Sequence, residues 1–255
     1  MKLINLTAIY VMWLREMKRF FRAKSRVAGT LAMPLFFLAF LGFGFSGITL
    51  PGIPQEMNYI NFLVPGIIGM TMLFSSMFAG ISVLWDREFG FLKEIMVAPV
   101  SRISLVLGRI AGGSTTSLIQ GVLILLISVF IGFNIPSLSG FISAVIFMAL
   151  ISIAFIGLGL VFASKMTDIH GFSLIINFVI FPLFFLSGAI FPVNNLPGFI
   201  MPLVYINPLT YGVDGLRGSL IGFSQFSILF DITALMGFSL FMVFLGAYFF
   251  EKTGA

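Results

Sequence analysis

The sequence predicts an all-α integral membrane protein with six transmembrane helices. Apolar residues make up 59% of the 255 residues and charged residues only 9%, whereas a soluble domain carries about 25% charged residues. The apolar residues are grouped into runs of the length that an α-helix needs to cross a hydrocarbon layer, roughly 20 residues. Because these runs occur along the whole chain, we expect residues 1–255 to form a single membrane domain.

Six apolar runs are separated by polar or Gly/Pro-rich segments. We predict spans at residues 27–45, 62–84, 110–133, 141–162, 172–190 and 232–250. The domain then divides into an amphipathic segment (1–26), spans one and two (27–84), a charged connector (85–102), spans three to five (103–190), an outer segment (191–225), and the last span with its tail (226–255).

The N-terminal segment predicts a basic amphipathic helix that lies in the membrane interface. One side of this helix would be apolar and the other basic, with Leu6, Trp13, Met17 and Phe20 opposite Arg15, Arg19, Arg22 and Arg26. Such a helix binds anionic lipid through its basic side. Two interpretations stay open: a plain lipid anchor, or an anchor that is also part of a docking platform.

The connector at residues 85–102 is the longest polar interruption between two apolar runs. Phe89, Leu92, Ile95 and Met96 recur at helical spacing, and Pro99 would end the helix. Charged residues lie largely elsewhere around it, at Asp86, Arg87, Glu88, Lys93, Glu94 and Arg102. A short amphipathic helix between two spans either lies on the lipid surface or docks into another protein.

The basic residues predict the orientation in the membrane. If both termini share one side of a six-span chain, that side holds 13 of the 14 basic residues, and only Arg217 lies on the other. Lys and Arg concentrate on the cytoplasmic side. We therefore expect a multi-pass protein of the cell membrane with cytoplasmic termini, and we assign the net charge of +5 to this sidedness rather than to nucleic acid.

The outer segment at residues 191–225 predicts a short re-entrant element. Its apolar part, residues 199–206, is too short to cross the membrane. Asp214 and Arg217 are three residues apart, so they would face each other on a helix. We interpret this pair as structural.

The chain lacks the residues that several kinds of chemistry require. It has no cysteine and a single histidine, His170, in a predicted loop, which argues against a metal centre or an intramembrane hydrolase. It has no phosphate-binding loop of the Gly-x-x-x-x-Gly-Lys-[Ser/Thr] type. Proton- or ion-coupled carriers place ionisable residues deep in the membrane, and here Arg109 and Asp231 lie near span ends. We therefore expect no catalytic residues and no enzyme activity.

Two strings resemble one known family. LWDREFGFLKEIMVAPVSR (residues 84–102), followed by a glycine-rich span, resembles the permease subunits of type-2 ABC exporters, which include drug-resistance, lipid and polysaccharide export permeases. SGAIFPVNNLPGFIMPLVYINPLTYGVDGLRG (residues 187–218) resembles the region before the last span in the same family. The resemblance covers essentially the whole chain.

The resemblance implies a partner and an energy source. In this family two permease copies, here expected as a homodimer, work with two ATP-binding subunits that hold the ATP and Mg²⁺, so no cofactor is expected in this chain. The connector acts as a coupling helix in a groove of the ATPase. Carried onto this sequence, that implies an ATPase contact made by Asp86, Arg87, Glu88, Phe89, Leu92, Lys93 and Glu94.

The substrate is only loosely bounded by the sequence. Thr71, Ser75 and Asn177 are candidate polar groups of a transport pathway, and the 33 phenylalanines suit a hydrophobic drug, a lipid or a lipid-linked glycan. Two other functions stay open: a secondary transporter that uses no ATP, and a membrane scaffold that binds a cytosolic partner through the connector.

Overall fold

The structure, a computed structural model, describes residues 4–45, 57–90, 100–134, 137–166 and 171–252. Within these ranges the regular structure is helical, which confirms the all-α part of the predicted fold class. The helices are α1 (Leu6–Arg22), α2 (Lys24–Gly44), α3 (Tyr59–Glu88), α4 (Arg102–Phe130), α5 (Leu138–Lys165), α6 (Gly171–Ile175), α7 (Phe181–Leu186), α8 (Met201–Ile206), α9 (Pro208–Ile221) and α10 (Ile228–Lys252), with a π-helical turn at Ile176–Ile180 and a 3-10 turn at Val193–Asn195.

Five helices in the described ranges are long and apolar enough to cross a membrane, rather than six. They lie in α2, α3, α4, α5 and α10. The predicted fifth span is a contiguous helical run of α6, a π-helical turn and α7 over residues 171–186, and the chain turns away at Gly188, which has a φ of +74°. Pro182, at the start of α7, donates no backbone hydrogen bond to the turn before it. This run is shorter than the roughly 20 residues that a membrane-crossing helix needs, so the six-span count stays a prediction.

Two helix ends differ from the predicted boundaries. Ser101 caps α4 by accepting a hydrogen bond from the Ser104 amide, so this helix begins at Arg102 rather than Ile110. Helix α3 continues to Glu88 and ends before Gly90, whose φ is +75°. The first residues of the predicted connector helix therefore belong to α3. Leu92, Lys93 and Glu94 lie outside the described residues.

Helix α3 forms the centre of the bundle. In its most apolar stretch 83% of the residues are buried, and the helix packs against α2, α4, α5 and α9. In the corresponding stretches of α2 and α10 only 17% of the residues are buried, so these helices lie at the periphery with large apolar side chains facing outward. An outward apolar surface of this kind is compatible with lipid contact.

Helix α1 packs alongside the first half of α4, and both run in the same direction. The Asn5 amide donates to Ser104 Oγ at 2.8 Å, and further along Trp13 Nε1 donates to Thr115 Oγ1 at 3.1 Å. Gly108 and Gly112 of α4 permit this approach, since a Cβ at Gly108 would lie 2.6 Å from Met12 Cβ. The small-residue spacing in α4 therefore serves packing within the chain.

Candidate functional site

Five charged side chains meet where α1 passes the end of α3 and the first half of α4. We call them the charged cluster: Arg15, Glu16, Arg19, Asp86 and Arg109. Helix α1 supplies the first three, α3 supplies the aspartate, and α4 supplies the last arginine. The cluster therefore links three helices that are distant in sequence.

Asp86 is the centre of the cluster and is only 6% exposed. Arg15 holds it with two hydrogen bonds, from Nη2 to Oδ1 at 2.9 Å and from Nη1 to Oδ2 at 3.3 Å. Arg109 Nη2 also donates to Oδ2, and Arg19 Nη1 lies 3.6 Å from Oδ1. Bidentate arginine–carboxylate contacts fix the relative position of two helices more firmly than a single charge contact.

Arg109 is the most enclosed cation of the cluster, at 4% exposure. Its Nη1 donates to Ser82 Oγ at 2.7 Å and lies 3.4 Å from Glu16 Oε1. Three guanidinium groups and two carboxylates give the cluster a formal charge of +1. A charge this far from water is stable only with partners on several sides, so α1, α3 and α4 are held as one unit at this end.

The described residues of the predicted ATPase contact divide into an inner and an outer set. Asp86 lies inside the chain, where its carboxylate is occupied by arginines of the same chain. Arg87 is half-buried and donates to the Met166 carbonyl at the end of α5. Glu88 is exposed, and Phe89 is 82% exposed. Of these four, only Glu88 and Phe89 face outward.

Two arginines of the predicted basic side of α1 take part in packing within the chain. Arg15 and Arg19 contact Asp86 of the charged cluster, whereas Leu6 of the predicted apolar side is 77% exposed. Arg22 is exposed. The Arg26 side chain lies outside the described residues. Helical spacing alone does not identify the acceptor that α3 places against α1.

The three candidate pathway residues differ in burial and in hydrogen bonding. Thr71 is buried, and its hydroxyl donates to the Ile67 carbonyl of its own helix at 2.8 Å. Ser75 lines a cavity between α1, α2, α3 and α4. Asn177 lies in the π-helical turn and is exposed.

Asp214 and Arg217 both lie in α9 and are both buried, and each forms hydrogen bonds with its own backbone partners. Asp214 accepts hydrogen bonds from the amides of Gln225 and Phe226, which anchors the loop before α10. Arg217 donates to the Gly188 carbonyl at 2.9 Å, and its guanidinium lies 3.8 Å from the centre of the Phe62 ring. Both side chains hold loops in place, as a structural role requires.

Two members of the cluster are absent from the predicted site. Glu16 is the one acidic residue in α1, and Arg109 is an ionisable residue inside a predicted packing segment. An ionisable residue within or near a membrane span usually pairs with a residue of opposite charge. That rule, applied to Arg109, would have indicated the few carboxylates at the same end of the bundle as its partners.

These features define a multi-pass helical membrane protein in which ion pairs hold the amphipathic helix α1 against α3 and α4. Comparison with known proteins gives its class. Residues 7–221 match the family described as ABC-2 type transporter. The chain is 28% identical over 249 residues to the inner membrane transport permease YadH of Escherichia coli K12, covering 95% of this chain and 91% of YadH.

Two further relatives are similar over most of their length. The chain is 30% identical over 203 residues to ycf38 of Cyanophora paradoxa, covering 79% of this chain and 69% of ycf38. It is 29% identical over 217 residues to Nodulation protein J of Rhizobium meliloti, covering 82% of this chain and 81% of Nodulation protein J. The chain belongs to the ABC-2 type transporter family, and two of these relatives, YadH and ycf38, are named as transport permeases.

Proposed function

We propose that this chain is the membrane permease of an ATP-driven exporter, in which two permease copies work with two separate ATP-binding subunits that carry ATP and Mg²⁺. The observation that supports this most directly is Phe89, an aromatic side chain 82% exposed at the end of α3, close in sequence to the buried charged cluster. An exposed aromatic flanked by charges is typical of an anchor at a protein interface.

The charged cluster suggests how motion at the Phe89 contact would be transmitted to the membrane helices. A force on the end of α3 displaces Asp86, and the arginines bonded to it lie on α1 and α4. The three helices then move together, because separating them would break bonds between buried charges. In our proposal this unit rocks as a rigid body and opens the pathway toward one side of the membrane or the other.

We propose a hydrophobic drug, a lipid or a lipid-linked glycan as cargo. The large apolar side chains on the outward faces of α2, the π-helical turn and α10 support an amphipathic cargo. Asn177 on the exposed face of the π-helical turn is the polar candidate for a pathway that forms against a second permease copy. In contrast, the hydroxyl of Thr71 is already bonded within its helix.

Replacement of Phe89 with alanine tests the coupling contact. We expect copurification with the ATP-binding subunit to weaken about thirtyfold, since a desolvated aromatic anchor contributes about 2 kcal/mol. Export into inside-out vesicles should fall with it, whereas membrane insertion should stay normal because the side chain is exposed. Charge reversal at Glu88 together with Glu94 should have the same effect.

Phe130→Ala is the matched control. Phe130 is 91% exposed but lies at the far end of α4, away from the charged cluster. It should leave copurification unchanged. Equal binding and export by the Phe89 variant and the wild type would show that residues 85–102 form a surface helix with no coupling function.

The proposed orientation has its own test. A reporter fused after Lys252 should behave as cytoplasmic and one inserted at Gly52 as external, because 13 of the 14 basic residues then lie inside. Alkaline phosphatase is active only outside the cytoplasm, and green fluorescent protein fluoresces only inside it. The two fusions at each position therefore control for each other. An external signal from the Lys252 fusion would contradict the topology with six spans and both termini inside.

A further inference from the structure

A polar cavity of about 70 Å³ lies behind the charged cluster, between the second half of α1 and helices α2, α3 and α4. Its polar lining consists of Glu16, Arg19, Thr30, Ser75, Ser82, Thr116 and Gln120. Ser75, Thr116 and Gln120 are each less than one-tenth exposed, so they form the deep part. A cavity of this volume has room for several water molecules or for one small polar group.

Two charged side chains in this cavity have hydrogen-bonding capacity that the described residues do not use. Glu16 Oε1 and Arg19 Nη1 are both buried, and neither forms a hydrogen bond within the described part of the chain. Their charge contacts, at 3.4 Å to Arg109 and 3.6 Å to Asp86, are ion pairs without hydrogen-bond geometry. Buried charged groups without hydrogen bonds are unfavourable, so a ligand that supplies partners is stabilising.

The charges and donors favour an anion that also carries hydroxyl groups. The cluster beside the cavity has three guanidinium groups and two carboxylates, an excess of one positive charge. Gln120 Oε1 accepts from Thr30 at 2.9 Å, which leaves the Gln120 amide N–H₂ as a donor. The hydroxyls of Ser75 and Thr116 donate to their own helices, so their oxygens remain as acceptors.

The surroundings favour a lipid as the source of this anion. The apolar side chains of Phe20, Val27 and Phe78 also line the cavity, and its other walls are helices long enough to span a membrane. On the outer face of α1 an adjoining groove shares Arg19 with the cavity and is lined by Arg15, Lys18 and Arg22. Basic residues grouped at a membrane surface attract anionic lipid headgroups.

We propose that this cavity binds the headgroup of one anionic phospholipid, with its phosphate on Arg19 and Gln120 and its glycerol hydroxyls on Glu16 and Thr116. The lipid would fill the space that α2 leaves between itself and α4 and would brace α1 against both. This site does not depend on the ATP-binding partner and lies apart from the exposed surface at Phe89.

Native mass spectrometry of the full chain, released from nanodiscs of equal phosphatidylglycerol and phosphatidylcholine, tests the proposal. We expect one phosphatidylglycerol to remain bound to each chain. Arg19→Gln should lower its affinity at least about tenfold, because it removes a charged donor to a buried phosphate. The matched control Arg22→Gln, on the same groove but outside the cavity, should lower it less than about fivefold.

A second variant leaves the charges intact. In Ser75→Leu the larger side chain extends into the cavity, so bound phosphatidylglycerol should be lost while the charged cluster keeps its members. The proposal is overturned if phosphatidylcholine is retained equally, if Arg19→Gln and Arg22→Gln have equal effects, or if Ser75→Leu keeps the lipid. Release of the lipid by glycerol phosphate at similar concentration would also overturn it, since the site would then bind a soluble anion.

Discussion

Replacing Asp86 with alanine is expected to lower the free energy of unfolding by about 3 to 5 kcal/mol, the usual cost of removing one partner from a buried ion pair. The side chain is 6% exposed, and its carboxylate accepts two hydrogen bonds from Arg15 and one from Arg109. Without it, the Arg109 guanidinium stays buried and, among the described residues, keeps Ser82 and a more distant Glu16. Unfolding of the purified protein in mixed detergent micelles measures the loss.

Two variants separate the cluster from a general effect of lost charge. Glu88→Ala removes an exposed carboxylate two residues away and should change stability by less than about 1 kcal/mol. Asp86→Leu combined with Arg109→Met removes one charge of each sign and leaves the cluster at +1. It should be more stable than Asp86→Ala, since isosteric apolar pairs often replace buried ion pairs without loss. If Asp86→Ala and Glu88→Ala are equally stable, the cluster does not hold α1, α3 and α4 together.

Replacing Gly80 with leucine is expected to destabilise the bundle by about 3 kcal/mol, the upper part of the range for overpacking. Gly80 lies where α3 crosses α5, and a Cβ there would be 2.6 Å from the Ile156 carbonyl oxygen and 2.8 Å from Gly159 Cα. Both atoms are backbone, so no side-chain rotation relieves the clash. The helices must separate, and the packing around the central helix is lost. The effect is measured by heating the purified protein and recording, by gel filtration, the fraction that stays monodisperse at each temperature.

Gly237→Leu is the control for this substitution. Gly237 lies within α10 in a span of similar hydropathy, and a Cβ there would meet no atom within 4 Å. Leucine stabilises a helix relative to glycine by somewhat less than about 1 kcal/mol. This variant should therefore be as stable as the wild type or slightly more stable. A Gly80 variant with the same stability as the Gly237 variant would show that the close crossing of α3 and α5 is not required.

The sequence by itself determined the class of the protein, the five long spans and the family. These properties depend on local composition, since twenty consecutive apolar residues cross a membrane wherever they occur. The connector string and the late segment carried the family resemblance, and the match over residues 7–221 agrees with it.

Tertiary structure alone decided which charges meet. Helical spacing placed Arg15 and Arg19 on one side of α1 but gave no information on which helix lies against that side. Their acceptor, Asp86, is 71 residues from Arg15 and 23 from Arg109. Spacing likewise paired Asp214 with Arg217, whereas packing gave each a separate backbone partner. A buried charge takes the partners that the surrounding helices present, and their arrangement follows from packing of the whole bundle around α3.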